Sequence, residues 1–267
     1  MHKTKPLGLA LLALLALFAA VAPRTAHAQE WTRQSFLLPK GGFEITGTPA
    51  RPELVRINIA DGNAFKPVEI PAHFFWGLSD DVMIGITHEQ GLRLNTGPGP
   101  ARKTYNDVGF GGVVYLAGGR NYEVDLHFGV PFHQLSPDLF VGAQFGILGR
   151  ANVGEQVALV YDPSVYVGMN HRDIGNRDTL NVPFWFYFQA TPVVVPFVGT
   201  GVQGPLDHFG DNFSIPLEGG VLFTVARGIH IGGMLHFDNV AGRQPDPAPS
   251  PHRFDARTLG FIGQFRF

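Results

Sequence analysis

The chain has 267 residues, 45% of them hydrophobic, with 34 glycines, 23 phenylalanines against 6 tyrosines, no cysteine and a formal net charge of −2. Without cysteine there is no disulfide, thiolate metal site or cysteine nucleophile, and the slightly acidic balance argues against nucleic acid, which calls for a basic face. Beyond residue 28 no run of 18 apolar residues occurs, so a membrane, if crossed, is crossed by strands.

Lys3 and Lys5 open the chain, an apolar run from Leu7 to Val21 follows, and Ala26-His27-Ala28 supplies a small-residue box. That three-part order predicts a signal peptide over residues 1–28, cleaved before Gln29. The apolar run is shorter than the roughly 20 residues a spanning helix needs, which disfavours the competing reading as an anchor. The predicted segment carries Lys3, Lys5 and Arg24 and no acid, so residues 29–267 hold a net charge of −5. They are expected to form one domain.

Within that domain the dominant pattern has a period of two. From Asn121 to Val130, Tyr122, Val124, Leu126, Phe128 and Val130 alternate with Asn121, Glu123, Asp125, His127 and Gly129. One face is apolar and the other polar or glycine, as in a strand with different surroundings on its two sides. Segments 180–190 and 229–238 repeat the pattern. Weaker copies fall at 36–47, 65–78, 82–91, 107–117, 138–149, 155–168, 193–203, 213–225 and 254–267, making twelve in all.

The connections alternate in length. Short, turn-forming gaps lie at Ser79-Asp80-Asp81, Gly118-Gly119, Arg150 to Gly154, Thr191-Pro192 and Ala226-Arg227-Gly228. Longer ones lie at Thr48 to Ala64, Leu92 to Asn106, Pro131 to Pro137, Met169 to Thr179, Gly204 to Asn212 and Asn239 to Arg253. This predicts an all-β fold, a transmembrane antiparallel up-and-down β-barrel of about twelve strands, with ten or fourteen if a weak strand is misassigned. A soluble β-sandwich is the competing reading. Its outward faces would not be so rich in Phe and Val.

The final segment, Leu259 to Phe267, places Phe261, Phe265 and Phe267 on one face, with Gly263 and Ile262 departing from strict alternation. A terminal Phe with an aromatic two residues before it resembles the C-terminal signature of Gram-negative outer-membrane β-barrel proteins, porin-like and transporter-like. The hairpin Phe75 to Ile86 is similar to a periplasmic hairpin of the same barrels. The resemblance implies residence in the outer membrane, contact with its lipids, and recognition of the terminal strand by the barrel-assembly machinery.

If the apolar faces meet lipid, the other faces meet a lumen. The lumen-lining candidates are Glu44, Glu69, His73, Glu89, Glu123, Asp125, His127, Gln144, Gln156, Asp162, Trp185, Tyr187, Glu218, His230 and His236, joined by Asn181, Gln189 and Asp238. Carboxylates and histidines dominate this set and no Lys or Arg belongs to it, while the strand registers allow Lys66 and Arg266 to point inward near the rims. An acidic wall favours cations over anions. The expected function is passive passage or uptake of a small, unidentified solute with a mild cation preference. The alternative is a non-conducting structural or surface barrel, in which loops fold in and the carboxylates pair with His and loop Arg.

An outer-membrane hydrolase ranks below both. Asn170-His171 has no nearby serine, Ser164 being seven residues away from His171 on the lumen face. Asp207-His208 lacks an acidic pair at its own rim, since Asp80-Asp81 belongs to the other end. His230 and His236 are too far apart on one strand to share an ion unaided. No catalytic residue, metal site or organic cofactor is expected. Phe74, Trp76, Phe184, Phe186, Phe188 and Phe237 read as lipid-facing belts, and the Pro-rich Gln244 to His252 as an extended loop.

Overall fold

Strict alternation puts apolar side chains on one side of each segment and polar or small ones on the other, and a closed sheet is the arrangement that satisfies every backbone group while keeping the two apart. The computed structural model of the chain describes residues 31–60, 66–95, 104–243, 254 and 257–267. The predicted signal peptide and the Pro-rich loop lie outside the described residues.

The sheet is one antiparallel barrel of twelve strands. They are β1 (Phe43–Thr46, resuming as Glu53–Asn58), β2 (Val68–Ile70 and His73–Ser79), β3 (Val82–Thr87 and Leu92–Leu94), β4 (Val108–Gly119), β5 (Tyr122–His133) and β6 (Phe140–Val153). The second half comprises β7 (Val157–Tyr161 and Ser164–Gly168), β8 (Thr179–Phe188), β9 (Val194–Pro205), β10 (Leu217–Ala226), β11 (Ile229–Phe237) and β12 (Arg257–Arg266). Each strand pairs with the next. β12 closes the ring on β1 through Glu44↔Arg266 and Thr258↔Asn58, and Phe43 and Phe267 exchange backbone bonds of 3.0 and 2.8 Å. Closure leaves no strand edge exposed, which removes the main liability of an isolated sheet.

The outward face is an apolar band. Phe110, Phe145, Trp76, Phe186, Val198 and Leu259 are all exposed along mid-strand. The inward face holds the buried residues, among them Met83, Val113, Leu148, Trp185, Tyr187, Leu222 and Ile262.

One strand and one loop assigned from the sequence need correction. Residues 36–47 are a strand only from Phe43 onward. Residues 31–38 instead run through the lumen, beginning with a 3-10 turn at Trp31–Arg33, and Gly41 and Gly42 already pair with Gly77. The consecutive apolar residues Phe36, Leu37 and Leu38 break the period of two because all three are buried inside the barrel, with no lipid face to alternate against. Likewise Thr48 to Ala64 is no simple loop. Residues 47–52 dip inward through a turn in which Thr48 and Arg51 exchange backbone bonds of 2.9 and 3.1 Å, and β1 then resumes. Gly47 permits this turn, since a Cβ there would stand 2.4 Å from the Glu53 nitrogen.

Candidate functional site

The short-turn half of the lumen is filled. Trp31 packs against Tyr187 and His230, with ring centroids 5.7 and 5.2 Å away. Phe36 lies under the Arg150 guanidinium at 5.5 Å. Polar groups from the wall hold the segment by its backbone. Glu123 accepts from the Ser35 hydroxyl at 2.6 Å and the Phe36 amide at 3.0 Å, while Arg150 donates to the Gln34 carbonyl. Arg266 donates to the carbonyls of Ser35 at 2.6 Å and Phe36 at 3.2 Å. The Gln34 amide lies 2.9 Å from His230 Nε2 and 3.2 Å from the Gln264 amide. The 47–52 turn caps this packing, with the Tyr187 hydroxyl donating to the Ala50 carbonyl at 2.8 Å. The space left beside the segment, lined by Trp31, Gln34, Phe36, Arg150 and Arg266 among others, measures about 10 Å³, room for one water.

The long-loop half is open. A vestibule of about 960 Å³ runs from Thr48, Arg51 and Leu148 at its floor to Asn212, Phe213 and Asp238 among the loops. One side is charged and internally paired. Arg51 bridges Glu53 at 3.0 Å and Glu218 at 2.8 Å. Arg56 joins Glu53 at 2.9 Å and Glu69 at 3.4 Å, and Arg93 stands 3.5 Å from Glu69. His236 lies 2.7 Å from Glu218 and 3.2 Å from Asp238. Charges this far from bulk water are tolerated because each has an opposite partner and hydrogen bonds.

The lumen candidates sort by depth. Glu44, Glu123, His230, Trp185 and Tyr187 meet the filled half, with Glu44 paired to Arg266 and accepting from Gln264 at 3.0 Å. Asp125 is fully buried on the same face, and its carboxylate has no hydrogen-bond partner among the described residues. His73, Glu89, His127, Gln144, Asp162 and His236 line the vestibule. There His127 stands 2.8 Å from Asp162, the Gln144 amide donates to Ser164 at 3.4 Å, and His73 donates to the His88 carbonyl at 2.9 Å. Glu218 and Glu69 belong to the charged wall, and the Trp185 indole donates to Glu218. Glu89 has a largely exposed side chain and pairs with His133 at 2.7 Å. Gln189 lies near Thr32.

Gln156 is a correction, because it sits exposed in the turn between β6 and β7. Lys66 is exposed, donating to the Ile59 and Ala60 carbonyls. The expected absence of inward Lys or Arg is also overturned. Arg51, Arg56, Arg93 and Arg150 all enter the lumen side, each against a carboxylate, and Arg266, expected near a rim, pairs inward with Glu44. Arg150 was placed in a turn, but β6 runs on to Val153 and turns that side chain inward. Arg51 lies in the inward dip between Pro49 and Pro52, which carries no periodic signal.

The hydrolase candidates stay apart. Asp207 and His208 stand 3.4 Å from each other, both exposed, on a long loop, while Asp80 lies at the short-turn end bonded to the Lys40 amide. The His171 ring packs on Phe140, 5.9 Å between centroids.

No family model and no curated protein matches the chain. Solved structures do. One described as a bacterial polysaccharide outer membrane secretin is 11% identical, with 85% of this chain and 98% of that one covered and a TM-score of 0.43. An anion-selective porin from Comamonas acidovorans is 10% identical over 79% and 63%, with a TM-score of 0.39. A mutant porin of Rh. blastica is 12% identical over 85% and 99%, with a TM-score of 0.27. Likeness at that level assigns this chain no cargo and no activity. The closed twelve-strand ring, its apolar outer band and its alternation of short turns with long loops make the architecture that of an outer-membrane β-barrel.

Proposed function

We propose that the chain is an outer-membrane barrel that admits small solutes from the long-loop side and is closed at the short-turn, periplasmic end by its own N-terminal segment. The observation that carries this reading is the pairing of Glu123, Arg150 and Arg266 with residues 34–36 inside the lumen, beneath an open vestibule. Because five arginines offset the lumen carboxylates, the preference between cations and anions is expected to be weak rather than clearly cationic. The exposed Phe261 and Phe267 on the outer face of the last strand fit a role in assembly by the barrel machinery.

The filled half also favours a second reading, a barrel that conducts nothing. Planar-bilayer recordings of the full chain and of a variant lacking residues 31–38 separate the two. Stepwise currents that rise sharply in the deletion variant, with a reversal potential near zero in a salt gradient, support the gated channel. Silence in both, with the variant folded, leaves the non-conducting barrel.

A further inference from the structure

The charged side of the vestibule has its partners already, whereas the opposite side does not. Strand register places His127, Gly146, Ser164, Asn181 and Gln203 directly opposite one another across β5 to β9, and Gln203 bridges on to Ser214. Directly opposed side chains stand about 5 Å apart, so the row sweeps an arc of roughly 25 Å around the wall. All but Gly146 line the vestibule. Two residues nearer the loops, a parallel row runs Gly111, Gly129, Gln144, Tyr166 and Thr179 on the same face, again lining the cavity.

The uncommitted groups along the rows are neutral, and the one uncommitted cation among the described lining residues, Arg177, stands apart in the loops. His127 is occupied by Asp162, and Ser164 accepts from Gln144. The side chains of Asn181, Gln203, Asn212 and Ser214 make no hydrogen bond among the described residues, although they face a cavity large enough for a small molecule. A carboxamide offers two donors and an acceptor, and a hydroxyl donates and accepts at once. A row of such groups matches a ligand whose own groups do both, which is the chemistry of a polyol. Gly129 supplies room, whereas the space beside Gly146 is taken by the His127 ring. At Gly129 a Cβ would meet nothing nearer than 3.4 Å, so a longer side chain there projects into the vestibule without disturbing the wall. Arg177 lies outside both rows, exposed in the 169–178 loop.

We infer that the row from Ser164 through Asn181 and Gln203 to Ser214 is a binding track for a neutral, hydroxyl-rich solute such as an oligosaccharide. The inference rests on the outward-open vestibule proposed above.

The test uses the full chain in detergent, titrated by calorimetry with maltotriose and, separately, with trigalacturonate as an anionic counterpart of similar size. Saturable maltotriose binding is expected, weakened about 3–10-fold by Asn181→Leu and by Gln203→Leu, consistent with loss of one neutral hydrogen bond each. Gly129→Leu is expected to abolish it. Ser214→Ala is the milder variant should a larger change impair folding. Trigalacturonate binding that exceeds maltotriose and falls with Arg177→Gln overturns the assignment, as does maltotriose binding indifferent to the four substitutions. Because the chain has no cysteine, Gln203→Cys can be labelled in whole cells with an impermeant maleimide. Labelling that maltotriose blocks supports the track. Labelling without any saccharide binding overturns the track and leaves the vestibule standing, whereas no labelling overturns both.

Discussion

Glu123 on β5 and Arg150 on β6 face each other across the strand pair, with Nη2 2.9 Å from Oε2 and both side chains under a tenth exposed, and each also holds the backbone of the N-terminal segment. One ion pair therefore joins two wall strands to the group that fills the lumen. Removing either partner leaves the other charge buried without its ion-pair partner.

Glu123→Ala or Arg150→Leu is expected to destabilise the barrel by about 3–5 kcal/mol, the usual result of breaking a buried pair. The same variants should free residues 34–36 and raise solute entry into proteoliposomes. Urea unfolding followed by gel mobility reads the first effect, and liposome swelling the second. Stability and swelling both at the parental level would show that the pair does not hold the segment.

Arg51 and Glu218 should be coupled. Arg51→Met strips Glu218 of its 2.8 Å partner and leaves it with His236 and the Trp185 indole. The double variant Arg51→Met with Glu218→Gln should recover part of the loss, with a coupling energy on the order of 1–3 kcal/mol in a double-mutant cycle. Additive effects would contradict a direct interaction.

Phe145 lies in the outer band and is 55% exposed. Phe145→Arg is expected to cost about 2–4 kcal/mol for folding into bilayers, as for a cation on the lipid face near the midplane. A neutral result in a lipid refolding titration would count against lipid contact at this face.

The loop between β7 and β8 carries a pH-sensitive pin. Asp178 accepts from Arg172 at 2.6 and 2.8 Å and from the Gly168 amide at 3.0 Å, and its hydrogen bond with Arg172 holds the carboxyl below its usual range. A depressed carboxylate contributes fully above the unfolded value of about 3.9 and loses that contribution as pH falls through the lower folded value. The protection of the amides of residues 168–178, relative to their intrinsic exchange, should fall below about pH 4, and Asp178→Asn should show the lower protection already at neutral pH. Exposure of the pair keeps the effect local and sensitive to salt.

The strands were legible because their cause is local. Alternation such as Glu123, Asp125 and His127 against Val124, Leu126 and Phe128 follows from which solvent each face meets, and that solvent is the same along a whole strand. The lengths of the connections carried the order and the even count in the same way. What fills the ring is different. Trp31, Gln34 and Phe36 meet residues 87 to 230 positions away only once β12 closes on β1, and nothing periodic marks a segment whose every side is surrounded by wall. Arg51 and Arg150 looked like loop residues because charge next to a turn ordinarily faces water. Closure turned them inward against Glu218 and Glu123. The sequence by itself determined a two-faced barrel with acids on its inner side. The tertiary structure alone decided that most of those acids are paired and that one half of the lumen is shut, because both depend on contacts between segments far apart in the chain.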